Sequence, residues 1–465
     1  MVGMSDGAPE GMMRAMRLVD PLPATERPLQ LVELPIPSPG PGEVLIRVEA
    51  CGVCHTDLHT VEGDLDPHRE SVIPGHQIVG EIAAFGDWPG GDRPDYPAAD
   101  GRPLELGERV GVPWLWRTDG QCRFCRRGQE NLCEHALFTG YDVDGGYAEY
   151  HVASAPFVYR LPSVDAEGHP IPATSLAPLL CAGVIGYRCL RLAGVVGDDH
   201  GLPGRPAPFE PGDEPVPRPS AFGAARARPS MRVARLRSVA GAIREVGGSP
   251  SAGGPLDMVD GILAEELDEP AGRLGLFGFG AAAHLCLQIA VSRGWQVYVF
   301  TRSEEHRRLA RELGAVWAGA SGQRPGAPAE AARQTPGQLS LNGRDDAMRA
   351  AAAGDETWLD AAIVFAPAGE LALEALKVVD KAGIVALGGI HSSPIPPIDY
   401  PVIYDERVLR SVANSTRRDA IELLRTAAAI PVRTEVETFP LEQANDVLIA
   451  LKESRIRGAA VLQIG

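Results

Sequence analysis

No run in the chain approaches about 18 uninterrupted apolar residues, so nothing in it reads as a membrane-spanning helix. The opening stretch, Met1 to Gly11, has neither the basic start nor the apolar core of a secretory signal, and a cytoplasmic location is expected. Without such a signal the triplet Asn414-Ser415-Thr416 carries no weight as a glycosylation acceptor. Basic residues are in deficit: 44 Lys and Arg face 61 Asp and Glu, for a formal charge of −17. A surface of that sign repels nucleic acid and anionic membranes, which leaves small molecules as the expected partners. Cysteine is sparse, eight in 465 residues, and in a reducing compartment these thiols are expected as metal ligands or buried side chains rather than a disulfide framework.

What is present suits about two globular domains, since 465 residues at 45% hydrophobic content exceed a single comfortable core. From Met16 to about Ala153 short β-type runs, such as Glu43 to Glu49 and Gln77 to Ala84, are broken by Gly and Pro at close intervals, the pattern of an all-β module. Around Leu176 to Leu192 the periodicity turns helical. From Arg273 apolar strands (Leu274 to Phe277, Val297 to Thr301, Ala361 to Ala366, Gly383 to Gly388) alternate with helical segments, which indicates a doubly wound parallel sheet and an α/β class overall. The expected division is a flexible tail over 1–15, a catalytic domain over 16–177, a cofactor domain over 178–411, and a return to the first domain over 412–465. Two stretches, about 196–270 and 319–354, read as insertions. The first opens rich in Pro, Gly and Asp, with too little apolar content to offset ordering entropy, and continues into a basic patch, of which Met231 to Val246 suits an amphipathic helix.

Cys54, His76 (in Pro-Gly-His) and Cys181 (in Leu-Leu-Cys-Ala-Gly) form a candidate catalytic zinc set. Two thiolates and one neutral imidazole cancel the charge of the ion and leave one coordination position open for water or an alcohol. Asp57, three residues beyond Cys54, is a candidate carboxylate to fix the tautomer of His76, and Thr56 and His59 are candidates to relay a proton to solvent. Singly, each has a plainer reading: Cys51 and Cys54 as a redox dithiol, His76 as a turn residue, Cys181 as helix packing.

A separate cluster, Cys122, Cys125 and Cys133, has the tight spacing of a structural metal loop, with Asp119 where a first cysteine would stand. Retention of a second, structural zinc by one aspartate and three cysteines is expected over three free thiols. Further on, Gly278-Phe-Gly280-Ala-Ala-Ala283 joins an apolar strand to a helix, the context of a pyrophosphate-binding turn. At the end of the next strand stand Thr301, Arg302 and Ser303 instead of an acid, which favours NADP through Arg302, while Glu304 and Glu305 keep NAD open. Metal and dinucleotide together point to metal-assisted hydride transfer.

The runs Cys-Gly-Val-Cys-His-Thr-Asp-Leu-His (51–59), Ile-Pro-Gly-His-Gln-Ile-Val-Gly (73–80), Asp-Gly-Gly-Tyr-Ala-Glu-Tyr (144–150) and Leu-Leu-Cys-Ala-Gly (179–183) resemble the zinc-dependent alcohol dehydrogenases of the medium-chain dehydrogenase/reductase family. That resemblance implies a GroES-like catalytic domain, a Rossmann domain and a homodimer or homotetramer. It implies catalytic zinc on Cys54, His76 and Cys181, a relay through Thr56 and His59, and structural zinc on the loop from Asp119 to Cys133. It also puts His55 against the cofactor pyrophosphate and Trp114 beside the channel for a small alcohol or aldehyde. Two positions depart from the family pattern: Gln77 where Gly-His-Glu is usual, and Asp119. Gln77 removes a negative charge near the metal position, so Gln77→Glu is expected to change the pH profile of turnover. The alternatives are a zinc-free quinone or enal reductase, which has no use for the three ligands together, and a weakly active or non-catalytic NADP-binding scaffold that docks a partner through the basic insertion.

Overall fold

A computed structural model describes residues 9–86, 96–164, 168–197, 270–321, 323, 358–430 and 432–465. The two insertions, the basic helix and residues 1–8 of the expected tail lie essentially outside them.

The β-rich region builds a seven-stranded sheet. Its spatial order is Val436–Pro440, Ala459–Gln463, Glu43–Val53, Gln77–Phe85, Arg109–Val112 and Tyr159–Arg160, with Tyr150–Ser154 also paired to Glu43–Val53. Alternation of Val44, Ile46, Val48 with their neighbours turns one face inward, where they meet Met16, Ile78, Tyr147 and Leu448 in one core. Met12–Leu18 pairs antiparallel with Leu29–Pro35, so the tail expected to residue 15 is shorter than that: ordered chain includes Met12, because Met13, Ala15 and Met16 bury against the domain.

The cofactor domain is a six-stranded parallel sheet in the order Trp317–Gly319, Trp295–Phe300, Gly272–Phe277, Leu359–Val364, Val379–Leu387 and Val408–Ser411. This is the doubly wound arrangement, with its topological switch between Gly272–Phe277 and Leu359–Val364, where ligands lie at the carboxyl ends of the strands. Helices Ala182–Leu192 and Ala281–Ser292 pack against each other closely enough that a Cβ on Gly186 would sit 2.8 Å from Cys286 Sγ.

Helix Arg417–Ala429 packs against helix Ala182–Leu192. Thr416 and Asp419 close its first turn as a capping box. Asp419, wholly buried, also accepts from Arg191 Nε at 2.8 Å and Arg188 Nη1 at 3.1 Å on helix Ala182–Leu192. Further on, the strands Val436–Pro440 and Ala459–Gln463 join the seven-stranded sheet of the first domain. Among the described residues no single helix is long and apolar enough to cross a membrane.

Candidate active site and metal centres

The first domain supplies Cys54 and His76, and the start of helix Ala182–Leu192 supplies Cys181. Inside the region read as purely β stands a helix, His55–Glu62, and Cys54 is its N-cap, with Asp57 completing the box. One carboxylate thereby holds two pieces of the site. Its Oδ2 accepts from Cys54 N at 2.9 Å. Its Oδ1 accepts from Gly75 N at 3.2 Å and faces His76 Nδ1 at 2.9 Å. With Nδ1–H given to Asp57, His76 turns Nε2 toward Cys54 Sγ, 3.4 Å away, and Cys181 Sγ lies 3.9 Å from Cys54 Sγ. Gly75 is required at the turn: its φ is +98°, and a Cβ there would lie 2.4 Å from the ring of Tyr147.

One ligand atom each from Cys54, His76 and Cys181 falls within 4.8 Å of the others, the spacing a tetrahedral cation needs. The electrostatics agree. Burial opposes charge on His76, but Asp57 and Cys54 outweigh it and push the imidazole up to about 10. The Cys181 hydrogen bond and the His76 charge hold the Cys54 thiol well below its usual range, against burial. Two half-buried thiols and a buried imidazole so placed form a donor set suited to a divalent ion. Cys51, by contrast, lies in the core, and burial pushes its thiol well up, which suits a packing residue and not a reactive dithiol.

Thr56 and His59, three residues apart, share a face of helix His55–Glu62, and His55 beside them is exposed. Trp114 meets His76 edge-on at 5.0 Å and stacks on Phe138 at 5.1 Å, giving the cluster an aromatic wall. Gln77 is 3% exposed, and its side chain fills the space over Gly52.

In the second cluster Asp119, Cys122, Cys125 and Cys133 also bring one ligand atom each within 4.8 Å. The N–H groups of Cys122 and Gln121 bond Asp119 Oδ1 and hold its carboxyl far below the usual range. Burial and Asp119 push the Cys125 thiol up to about 12. Glu130, within this lobe, grips Arg417 through both carboxylate oxygens, and Asn131 Nδ2 donates to Ala413 O at 2.7 Å. Asn414 Nδ2 donates to Asn131 O, so the apparent glycosylation triplet is an interdomain contact.

At the glycine turn Gly278 has φ +90°, and a Cβ there would come within 2.9 Å of Ala366 N. Gly280 caps helix Ala281–Ser292, with nothing within 4 Å of its would-be Cβ, so a pyrophosphate has room against the first-turn N–H groups. Ala283 is fully buried against the sheet. Thr301 follows the next strand, Trp295–Phe300, its N–H bonded to Gly319 O, and Arg302 beyond it is exposed. Sequence reasoning missed His284 beneath this turn, whose imidazole burial pushes down to about 4, and it missed Asp64 and His391 around His59. A lone histidine in an apolar helix or a residue past a helix end gives no periodic signal.

Residues 40–163 match the alcohol dehydrogenase GroES-like domain. The probable alcohol dehydrogenase AdhA of Mycobacterium tuberculosis is 36% identical over 99% of this chain and 100% of its own length. The chain belongs to the medium-chain alcohol dehydrogenases. An alcohol dehydrogenase of Geobacillus stearothermophilus is 28% identical over 94% of the chain and 96% of its own length. The cobalt- and zinc-bound alcohol dehydrogenase of Pyrobaculum aerophilum, at 18% identity, shares the fold with a TM-score of 0.64 over 97% of this chain and 100% of that one. The dehydrogenase therefore has a GroES-like domain joined to a Rossmann domain, and it is an oxidoreductase.

Proposed function

We propose that the enzyme interconverts a small primary or secondary alcohol and its aldehyde or ketone, with a catalytic zinc on Cys54, His76 and Cys181 and a nicotinamide dinucleotide as hydride carrier. The convergence of those three donors, with His76 Nδ1 anchored on Asp57, carries this reading. When bound, zinc supplies Lewis acidity at the substrate oxygen and the nicotinamide supplies the hydride acceptor. Asp57 keeps His76 in the tautomer that offers Nε2 to the metal. Trp114 and Phe138 exclude water beside it and limit the size of the alcohol. Thr56 passes the alcohol proton along its helix face to His59. Gly278, Gly280 and Ala283 hold the pyrophosphate, with His55 opposite, and Thr301 and Arg302 meet the ribose, favouring NADP.

Asp119, Cys122, Cys125 and Cys133 hold a second, structural zinc. The chain pairs with copies of itself, a homodimer or homotetramer, supported by the open edge strand Val408–Ser411 and exposed Ile390, Tyr400 and Tyr404. A cytoplasmic setting suits eight unpaired cysteines.

The test is oxidation of NADPH and NADH with a panel of small aldehydes, for the wild type and Cys54→Ala, with zinc content recorded. Turnover lost in Cys54→Ala together with one zinc supports the reading. Wild-type enzyme that binds cofactor and zinc without turnover favours the scaffold alternative, and activity on quinones or enals without zinc favours the reductase.

A further inference from the structure

Helix His55–Glu62 ends at Gly63, whose φ of +78° turns the chain back on itself. Asp64 N donates to His59 O at 3.0 Å, and the reversal carries the Asp64 carboxylate to the ring: Oδ2 lies 2.8 Å from His59 Nδ1. A carboxylate only accepts, so Nδ1 carries the hydrogen, and in the neutral ring Nε2 keeps its lone pair. The pair spans a gradient of exposure, 22% for the His59 side chain and 60% for Asp64, from the cleft to open water. On another side the ring faces His391 of the cofactor domain, with centroids 6.2 Å apart. The turn itself is held by backbone bonds, and an exposed ion pair contributes little to stability, so the carboxylate has no evident structural task.

We propose that Asp64 is a positioning residue of this dehydrogenase: it fixes the tautomer of His59 so that Nε2 takes the alcohol proton, and it steadies the imidazolium until water removes that proton. The proposal rests on the relay through Thr56 and His59. Alcohol oxidation breaks one C–H and one O–H bond and forms a C=O. The C–H electron pair leaves with the hydride to the nicotinamide, and the O–H proton leaves separately to Nε2 and then to solvent. Asp64 never takes the proton; it stabilises the charged ring by accepting from Nδ1–H throughout.

The experiment measures single-turnover alcohol oxidation in the zinc-loaded full-length enzyme for the wild type, His59→Gln, Asp64→Asn, Asp64→Glu and the double variant His59→Gln/Asp64→Asn. Melting temperature and cofactor affinity are recorded for each. Asp64→Asn should slow the step about tenfold, a share of what a positioned base supplies, with unchanged melting and cofactor affinity. Asp64→Glu should regain most of the rate, and the double variant should be no slower than His59→Gln, because Asp64 acts only through that ring. If His59→Gln is slow while Asp64→Asn stays within about twofold of wild type, or if the two losses multiply in the double variant, the role of Asp64 is overturned and the relay stands. A His59→Gln variant as fast as wild type overturns both.

Discussion

Replacing Asp57 by Asn tests the centre of the site with almost no change of shape. All three groups around the carboxylate are donors: Cys54 N and Gly75 N through the backbone, and His76 Nδ1 through the ring. Asn offers one acceptor oxygen. If that oxygen takes the Oδ1 place, serving Gly75 and His76, the amide NH2 faces Cys54 N–H, donor against donor, at the first turn of helix His55–Glu62. If it takes the other place, His76 loses its acceptor and can flip tautomer, turning Nε2–H toward the thiols. Either choice leaves a buried donor unmade, at a cost of about 1–3 kcal/mol, and removes the negative charge that favours a cation on His76. Outer partners of metal ligands are worth about 10–100-fold in affinity, and the loss here should fall in that range. The assay is zinc retention against a graded chelator, read alongside kcat/KM for a small alcohol. Zinc affinity and kcat/KM both within about twofold of wild type would refute the claim that Asp57 governs the His76 tautomer.

Three further outcomes are expected. Asp419→Ala takes the acceptor from Arg188 Nη1 and Arg191 Nε, leaving Arg191 only Glu422, and removes half of the capping box; breaking such a buried set costs about 3–5 kcal/mol, read as a lower urea midpoint. The same carboxyl, despite burial, is held below its ordinary range by Arg188 and Arg191, so its stabilisation is present above about pH 4 and is lost as pH falls through the folded-state value. Urea titrations should show the gap between wild type and Asp419→Ala closing in acid. Asp119→Ala should lower native mass from two zinc ions per chain to one while the Cys54 site keeps its metal, and equal zinc content would count against the lobe as a four-ligand centre. Arg302→Ala should raise KM for NADPH about tenfold and leave KM for NADH nearly unchanged, whereas an equal effect on both removes Arg302 from 2′-phosphate recognition.

Four of the six strands of the cofactor sheet are legible, three of them within two residues at each end and Val379–Leu387 only over its second half, because buried parallel strands read as apolar runs; the edge strands Trp317–Gly319 and Val408–Ser411 are not, and the glycine turn is legible because strand, turn and helix must occur in that order. The donors Cys54, His76 and Cys181 stand out by residue type. Their assembly is not readable from spacing, since it depends on a helix, His55–Glu62, whose polar residues hide it inside a β-rich stretch; the Cys54 and Asp57 capping pair is the one local sign of it. Where helix Arg417–Ala429 packs is not legible, because it looks like any amphipathic helix; Asp419 ties it to Arg188 and Arg191, two hundred and more positions away. Asp64 escapes notice for a similar reason: a turn reversal, not periodicity, brings it to His59.

The pairing of Ala459–Gln463 with Glu43–Val53 also sets an order of assembly. During synthesis the strand that leads directly into Cys54 is complete early, with Gln77–Phe85 and Tyr150–Ser154 soon beside it, but its partner on the other side is made only after the entire cofactor domain. Until then the Ala50–Val53 end of that strand presents unpaired N–H and C=O groups, an edge able to recruit other chains. The closing strand silences that edge and completes the pairing of the stretch that leads into Cys54 in one event.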